Sequence, residues 1–457
     1  MIKKSLGLTQ TEKILAELCD KTFLKLWSYP NPFTENHKEI CDLLVVFEDD
    51  VFIFFVREKN LNPLVSESGL ICWERWKRTV IDKQIITYYG AERYLRSGKK
   101  IFLDQSGKEP FPLEFKKDKV NIYKIIIAHG AEHACKEMSQ DNINGSLAIS
   151  YCDSKIFDKP FCITLSRENP IHILDSFNIG IILQELDTIC DFRWYLEEKE
   201  NAIKKYSILA YCGEEDLLAH YFQHFDENNN KHYIGTLDTS INGLLVEEGS
   251  WDEFKKSKQY LAKKDADKIS YFWDELIQRT TQNALDGSLL GNDDIFNGKN
   301  AIIEMAKEPR FYRRFISEIM IKSMESFPDP ADKIIKKVTF VPSFFKNKAY
   351  ILLQLYTPYS YKNFNKVREI RQKLLAIACG VLKNKQPQFD IIIGIAIYPP
   401  MYEDRINSNP EDFLYLDCSE WNKECISYYE EQNKYLHFFE TDNLKIYKGS
   451  YREFPEV

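Results

Sequence analysis

The sequence predicts a multi-domain α/β protein, and three observations carry that reading. Its 457 residues correspond to roughly two to three domains of about 150 residues. Short runs of β-branched and aromatic residues alternate with longer stretches of helical periodicity. Apolar residues make up 44% of the chain, enough to fill several packed cores.

Thr9-Gln10-Thr11-Glu12 has capping-box spacing, so a helix is expected from there to about residue 27, striped by Ile14, Leu15, Leu18 and Leu26. Tyr29-Pro30-Asn31-Pro32 stops it. Residues 40–47 and 51–56 flank Glu48-Asp49-Asp50 and read as a hairpin. With Asp49-Asp50 as its turn, Glu48 faces Val51 and Asp42 faces Arg57. A long helical stretch covers residues 69–97. A second α/β section opens near residue 121, with strands at 122–128, 147–151 and 161–165 and helices at 177–205 and 213–225. Residues 226–238 hold three consecutive asparagines and read as a linker. Residues 251–325 read as mostly helical, interrupted over 286–299. The last section reads as a hairpin (337–341, 350–356), a helix (363–382), two strands (390–397, 412–416) and a helix (420–435). The expected domains are therefore 1–115, 116–238, 239–328 (mainly helical) and 329–457.

A formal net charge of −8 excludes a basic surface over the whole chain, so any nucleic-acid contact must come from a local patch. The eleven cysteines are dispersed, none in a C-x-x-C pair, and read as reduced thiols of a reducing compartment. No secretory signal and no run of about 18 apolar residues is present, so a cytoplasmic protein with no membrane partner is expected.

Asp42 is the residue with the clearest chemistry. It opens the otherwise apolar strand CDLLVVF, and a carboxylate there is costly unless paired or metal-bound. On the expected register Asp42, Arg57 and Lys59 share one face, while Glu58 points away unless a bulge slips the strand. An acid, then a strand ending in acid and lysine, behind an acid-bearing helix, is what metal-dependent phosphodiester hydrolysis needs: carboxylates hold Mg²⁺ and the lysine offsets developing charge.

Residues 12–60 resemble the PD-(D/E)xK superfamily of restriction-endonuclease-like proteins, and are similar to its NERD-type branch. The resemblance implies an αβββαβ core followed by further α/β and helical domains. It makes Asp42 the metal-binding aspartate, Lys59 the lysine, and Glu12 or Glu17 the helix glutamate. Mg²⁺ (or Mn²⁺) would sit on Asp42 and Glu58 and serve cleavage of DNA or RNA, in bacterial defence, with a partner protein or a second copy of the chain. The sequence departs from the pattern at one position: Arg57 stands where the family places an acid two residues before the lysine. Glu58 enters through a bulge, an acid such as Glu74 substitutes, or the fold binds nucleic acid without cutting it.

Residues 73–100 hold Arg75, Lys77, Arg78, Lys83, Arg93, Arg96, Lys99 and Lys100 against Glu74, Asp82 and Glu92, with Trp73, Trp76, Tyr88, Tyr89 and Tyr94 interleaved. Basic side chains contact phosphates and aromatics stack on bases; the plain alternative is aromatics packed on the sheet beneath a solvated charged face. His129-Gly130-Ala131-Glu132-His133 matches the H-x-x-E-H pattern of inverted zinc peptidases, and His220 and His224 stand four apart. His129 ends a strand, however, where such a site needs both histidines on one helix.

Overall fold

Helix α1 (Gln10–Thr22) begins as the capping box predicts: Thr9 Oγ1 accepts the Glu12 N–H at 3.2 Å and the Glu12 carboxylate accepts the Thr9 N–H at 3.4 Å. It ends earlier than expected, because Leu24 takes a left-handed φ of +64° and turns Leu26 and Trp27 into the core. The computed structural model describes residues 5, 7–62, 68–116, 119–138, 144–153, 159–227, 231–285, 298–329, 333–358, 364–399, 411–440 and 452–455. The chain is a mixed α/β protein of two units, Ile2–Tyr260 and Leu261–Val457.

In the first unit, five strands form one sheet in the order β1 (Ser28–Pro30), β2 (Leu43–Phe47), β3 (Asp50–Glu58), β4 (Asn121–His129) and β7 (His172–Asp175). β1, β2 and β3 run antiparallel in turn, whereas β3, β4 and β7 are parallel. The crossover from β3 to β4 is helical: α2 (Ser68–Lys77), a turn of π-helix (Arg78–Asp82) and α3 (Lys83–Ser97), closed by Gly98 at φ +68°. β3 is buried on both faces, which explains its unbroken β-branched and aromatic run. Phe52 stacks on Phe23 and Phe54 on Phe192, with tilted contacts between Phe23 and Phe54 and between Phe52 and Phe192, while Phe55 meets Tyr88 of α3 edge-on at 4.6 Å on the other face.

The hairpin turn is Glu48-Asp49 rather than the expected Asp49-Asp50: Phe47 pairs with Asp50 and Leu43 with Phe54. Glu48 takes a left-handed φ of +53°, the conformation tight hairpin turns demand of a central residue. Asp50 is drawn into the ladder by its carboxylate, which accepts Asn121 Nδ2 at 3.0 Å and Arg193 Nη1 at 3.1 Å. The register is thus displaced by two residues from the expected one, so Asp42 does not stand opposite Arg57. A two-residue displacement leaves each side chain on its expected face.

A second sheet in this unit runs β9 (Gly243–Val246), β8 (Ile208–Tyr211), β5 (Ala148–Cys152) and β6 (Cys162–Leu165). The expected boundary at 115/116 falls inside the first sheet, because β3 and β4 pair along their whole length. The expected boundary at 238/239 falls within the same unit, and residues 228–230 of the expected linker lie outside the described residues. The single helix expected over 177–205 is two, α5 (Asn178–Glu185) and α6 (Ile189–Lys205), because Thr188 caps a new helix by accepting the Asp191 N–H at 3.0 Å. Helix α7 (Glu214–Gln223) opens on three buried acids. Glu214 pairs with Lys199 at 2.6 Å and accepts the Tyr195 and Tyr211 hydroxyls, and Asp216 accepts the Gly249 and Trp251 N–H groups.

In the second unit the sheet order is β10 (Ile335–Pro342), β11 (Lys348–Tyr356), β12 (Ile391–Ile397) and β13 (Asp412–Asp417). The β10–β11 hairpin is antiparallel, α11 (Phe364–Lys385) crosses over, and β12 returns parallel to β11. This is the same connection as β2–β3, α2–α3 and β4. Leu375, Ala378, Cys379 and Leu382 of α11 pack on Ile351, Leu353 and Ile392. The expected helical stretch includes α8 (Tyr271–Leu285), α9 (Gly298–Ala306) and α10 (Arg310–Glu325); most of its expected interruption, 286–297, lies outside the described residues.

Candidate functional site

Asp42 sits where β2 meets the far end of β3, buried at 6% exposure. Its Oδ2 accepts the Val56 N–H at 2.5 Å and faces Arg57 Nη1 at 3.5 Å. Arg57 also donates to the Val56 carbonyl at 2.8 Å, so the guanidinium is held over this strand end. Burial raises the Asp42 pKa to about 6; the Val56 N–H and Arg57 pull it down, while Glu39 and Glu12 push it further up. Arg57 therefore stands as the counter-ion of the acid that the sequence marks out.

Asn31 gathers two further acids. It is fully buried with a left-handed φ of +49°, and its Nδ2 donates to Glu12 Oε2 at 3.2 Å and Glu39 Oε1 at 2.8 Å. Its backbone N–H donates to the Asp42 carbonyl at 3.0 Å, which places the cluster beside the strand end. Burial works to raise the Glu12 pKa, but hydrogen bonds from Leu8, Asn31 and Thr9 outweigh it and leave it low. Glu39 is held high by burial and by Glu12, with Asn31 and Arg57 opposing. Neither Asn31 nor Glu39 was expected from the sequence; the signal that could have found Asn31 is its place between two prolines, where a left-handed turn favours asparagine.

The remaining predicted residues do not join this cluster. Lys59 turns its Nζ to the Arg75 carbonyl and Thr79 Oγ1, each at 3.4 Å. Glu58 is exposed and in register with His129, on the face opposite Arg57 and Lys59. Glu17 and Glu74 are exposed on the outer sides of α1 and α2. Among the described residues, no three histidine, cysteine, aspartate or glutamate side chains form a group that could hold a metal ion. The donors expected for Mg²⁺ or Mn²⁺, Asp42 and Glu58, lie on opposite faces, and Asp42 Oδ2 is already taken by Val56 and Arg57. As arranged, these residues do not fit the metal.

The basic stretch divides by burial. Trp73, Trp76 and Tyr88 are buried, and the two tryptophans stack at 5.3 Å. Tyr88 packs on the sheet, as the plain alternative holds, against Phe55 and with its Oη donating to the Ile53 carbonyl at 2.9 Å, while Trp73 meets Phe161 at 5.1 Å. Arg75, Arg78, Lys83, Arg93 and Arg96 are exposed, Lys77 half-buried, and Tyr89 exposed. Trp76 Nε1 donates to the Lys59 carbonyl at 2.6 Å, which fastens the basic helix to the strand end that carries Arg57.

His129 and His133 are not on one helix: His129 closes β4, and α4 (Glu132–Met138) starts three residues on with His133 exposed against Glu137 at 3.4 Å. His220 and His224 stack at 4.0 Å; His220 Nε2 accepts the Gly235 N–H, and His224 Nδ1 donates to the His220 carbonyl. Neither pair is arranged as a zinc peptidase requires. Among the described residues, no helix is long and apolar enough to cross a membrane. Comparison with protein-family models, with curated proteins and with solved structures returned no match.

Proposed function

We propose that the first unit is a nucleic-acid-binding unit built on a restriction-endonuclease-like core, in which Arg57 takes the place of a metal-binding acid. Support for the core comes from its element order: a helix bearing Glu12, three antiparallel strands, a helical crossover and a strand parallel to the third. The observation that carries the reading is the Arg57–Asp42 pair beside the exposed basic face of α2 and α3, which Trp76 and Lys59 hold to the same strand end. Phosphates are drawn to that face by charge, in a chain whose net charge is −8.

The second reading is hydrolysis of DNA or RNA with Mg²⁺ or Mn²⁺, in which Arg57 leaves Asp42 when substrate arrives. What favours it is that Asn31 Nδ2 holds the Glu12 and Glu39 carboxylates while its backbone N–H donates to the Asp42 carbonyl, although as arranged these side chains do not form a metal-holding group. One experiment separates them. Binding of a mixed set of DNA and RNA oligonucleotides is measured in chelator across a salt series, for wild type, Arg75→Glu/Arg78→Glu and a Lys13→Glu control. The double variant is expected to bind about tenfold or more weakly with a shallower salt slope, the control to be unchanged. Equal binding by all three refutes the first reading. Cleavage on adding Mg²⁺ or Mn²⁺ that is lost in Asp42→Asn replaces it with the second.

A further inference from the structure

The acid of Arg57-Glu58-Lys59 faces away from Asp42, and on that other side of the sheet it has a neighbour. β3 and β4 are parallel, and Glu58 is in register with His129 at their carboxyl ends. In-register residues of adjacent strands point to the same face with backbones roughly 4.8 Å apart. A carboxylate and an imidazole thus stand side by side at the rim of the sheet.

His129 is held in one orientation. Its Nδ1 lies 2.8 Å from Ser176 Oγ, just beyond the end of β7. Ser176 donates its single proton to Glu132 Oε2 at 3.1 Å, and the same oxygen accepts the Gly130 N–H at 3.1 Å. With that proton committed, Ser176 accepts from Nδ1–H, which leaves the lone pair on Nε2. Burial lowers the ring's pKa against the opposing pull of Glu58 and Glu132. The turn behind it is tightly packed: Gly130 has φ +95°, and a Cβ there would meet the Lys59 carbonyl oxygen at 2.5 Å. A neutral imidazole whose Nδ1–H is anchored through a chain ending in a carboxylate is how proteins present Nε2 to a metal.

We propose that Glu58 and His129 form an open divalent transition-metal site on the face of the sheet opposite Asp42, with a phosphate group completing the coordination. Octahedral Mg²⁺-type sites, a geometry Mn²⁺ shares, are commonly held by one or two carboxylates with waters and substrate phosphates and no enclosing cage, and imidazole is a donor that suits transition metals. The phosphate rests on the nucleic-acid reading above; the two-residue metal site does not.

The test is a Mn²⁺ titration of the full chain followed by electron paramagnetic resonance, without nucleic acid, in wild type, Glu58→Gln, His129→Ala and Asp42→Asn. Saturable binding of one Mn²⁺ is expected below about 1 mM. Glu58→Gln and His129→Ala are expected to weaken it about tenfold or more, with Asp42→Asn unchanged. Adding thymidine monophosphate is expected to tighten Mn²⁺ binding in wild type and not in Glu58→Gln. Because Glu58 is exposed, its glutamine variant folds and reports even where His129→Ala does not. Failure of wild type to bind Mn²⁺ by about 1 mM, or loss in Asp42→Asn with retention in Glu58→Gln, overturns the proposal. Oligonucleotide binding in chelator reports separately on the first reading.

Discussion

Arg57 changes what Asp42 can do. A buried carboxylate with a raised pKa is costly when charged, and the guanidinium at 3.5 Å lowers that cost. Removing the guanidinium in Arg57→Ala is expected to move the Asp42 titration above about 6, read by carbon-13 NMR of the carboxyl group. The stability lost should stay below ~1 kcal/mol, since Arg57 is substantially exposed and solvent screens the pair. Asp42's folded pKa lies above the ordinary aspartate value of 3.8, so the folded chain is the tighter proton binder. This group therefore favours folding below about pH 4 and loses that contribution as pH rises through about 6. Thermal melts of wild type between pH 4 and 7 should show that slope, and Asp42→Asn should remove this group's share of it. Asp42 was legible in the sequence because a carboxylate at the mouth of an apolar strand demands a partner. Asn31 and Glu39 were not, because backbone turns and not strand periodicity bring them to the site.

Strands and helices were legible wherever one period ran unbroken, as in β3, β4, β11 and α11. They were misread where a local cap or turn intervened. Thr188 with Asp191 splits a helix whose apolar spacing continues across the break, and Glu48 moves a hairpin register that its acidic residues left open. The short strand β7 was missed altogether, because its four residues carry too little pattern to stand out. At the same scale, buried charge ties helix to strand in the second unit. Asp412, at the start of β13, accepts Arg368 at 2.7 Å and Arg371 at 2.6 Å, all three buried. Asp412→Ala would leave two arginines of α11 without their carboxylate and is expected to cost about 3–5 kcal/mol. The denaturant midpoint of the full chain checks this; an unchanged midpoint would mean the arginines find other partners.

At the scale of the whole chain, parallel pairing joins segments far apart in sequence, so one sheet spans the expected boundary at 115/116. The two sheets of the first unit meet through acids: Asp175 at the end of β7 accepts the Leu147 N–H at 3.0 Å, and Glu215 of α7 accepts Ser146 Oγ at 2.5 Å and Asn178 Nδ2 at 3.1 Å. Burial pushes both pKa values up, Asp175 to about 6 against the pull of the Leu147, Asn178 and Phe177 N–H groups, and Glu215 to about 8 with Asp175 adding to the rise. Raised carboxyl pKa values stabilise the protonated folded state, so this junction is expected to weaken as pH climbs through and above neutrality. Thermal melts from pH 6 to 9 should show a falling midpoint in wild type and a flatter one in Glu215→Gln; parallel curves would remove the pair from the account. The first sheet also has an unusual outer margin. β1 is three residues long and ends in Pro30, which has no N–H to offer. A neighbouring molecule seeking to extend the sheet by strand addition would find almost no ladder to bind, so this rim resists edge-to-edge aggregation. Copies of the chain that associate through this sheet's surroundings must do so by side-chain surfaces.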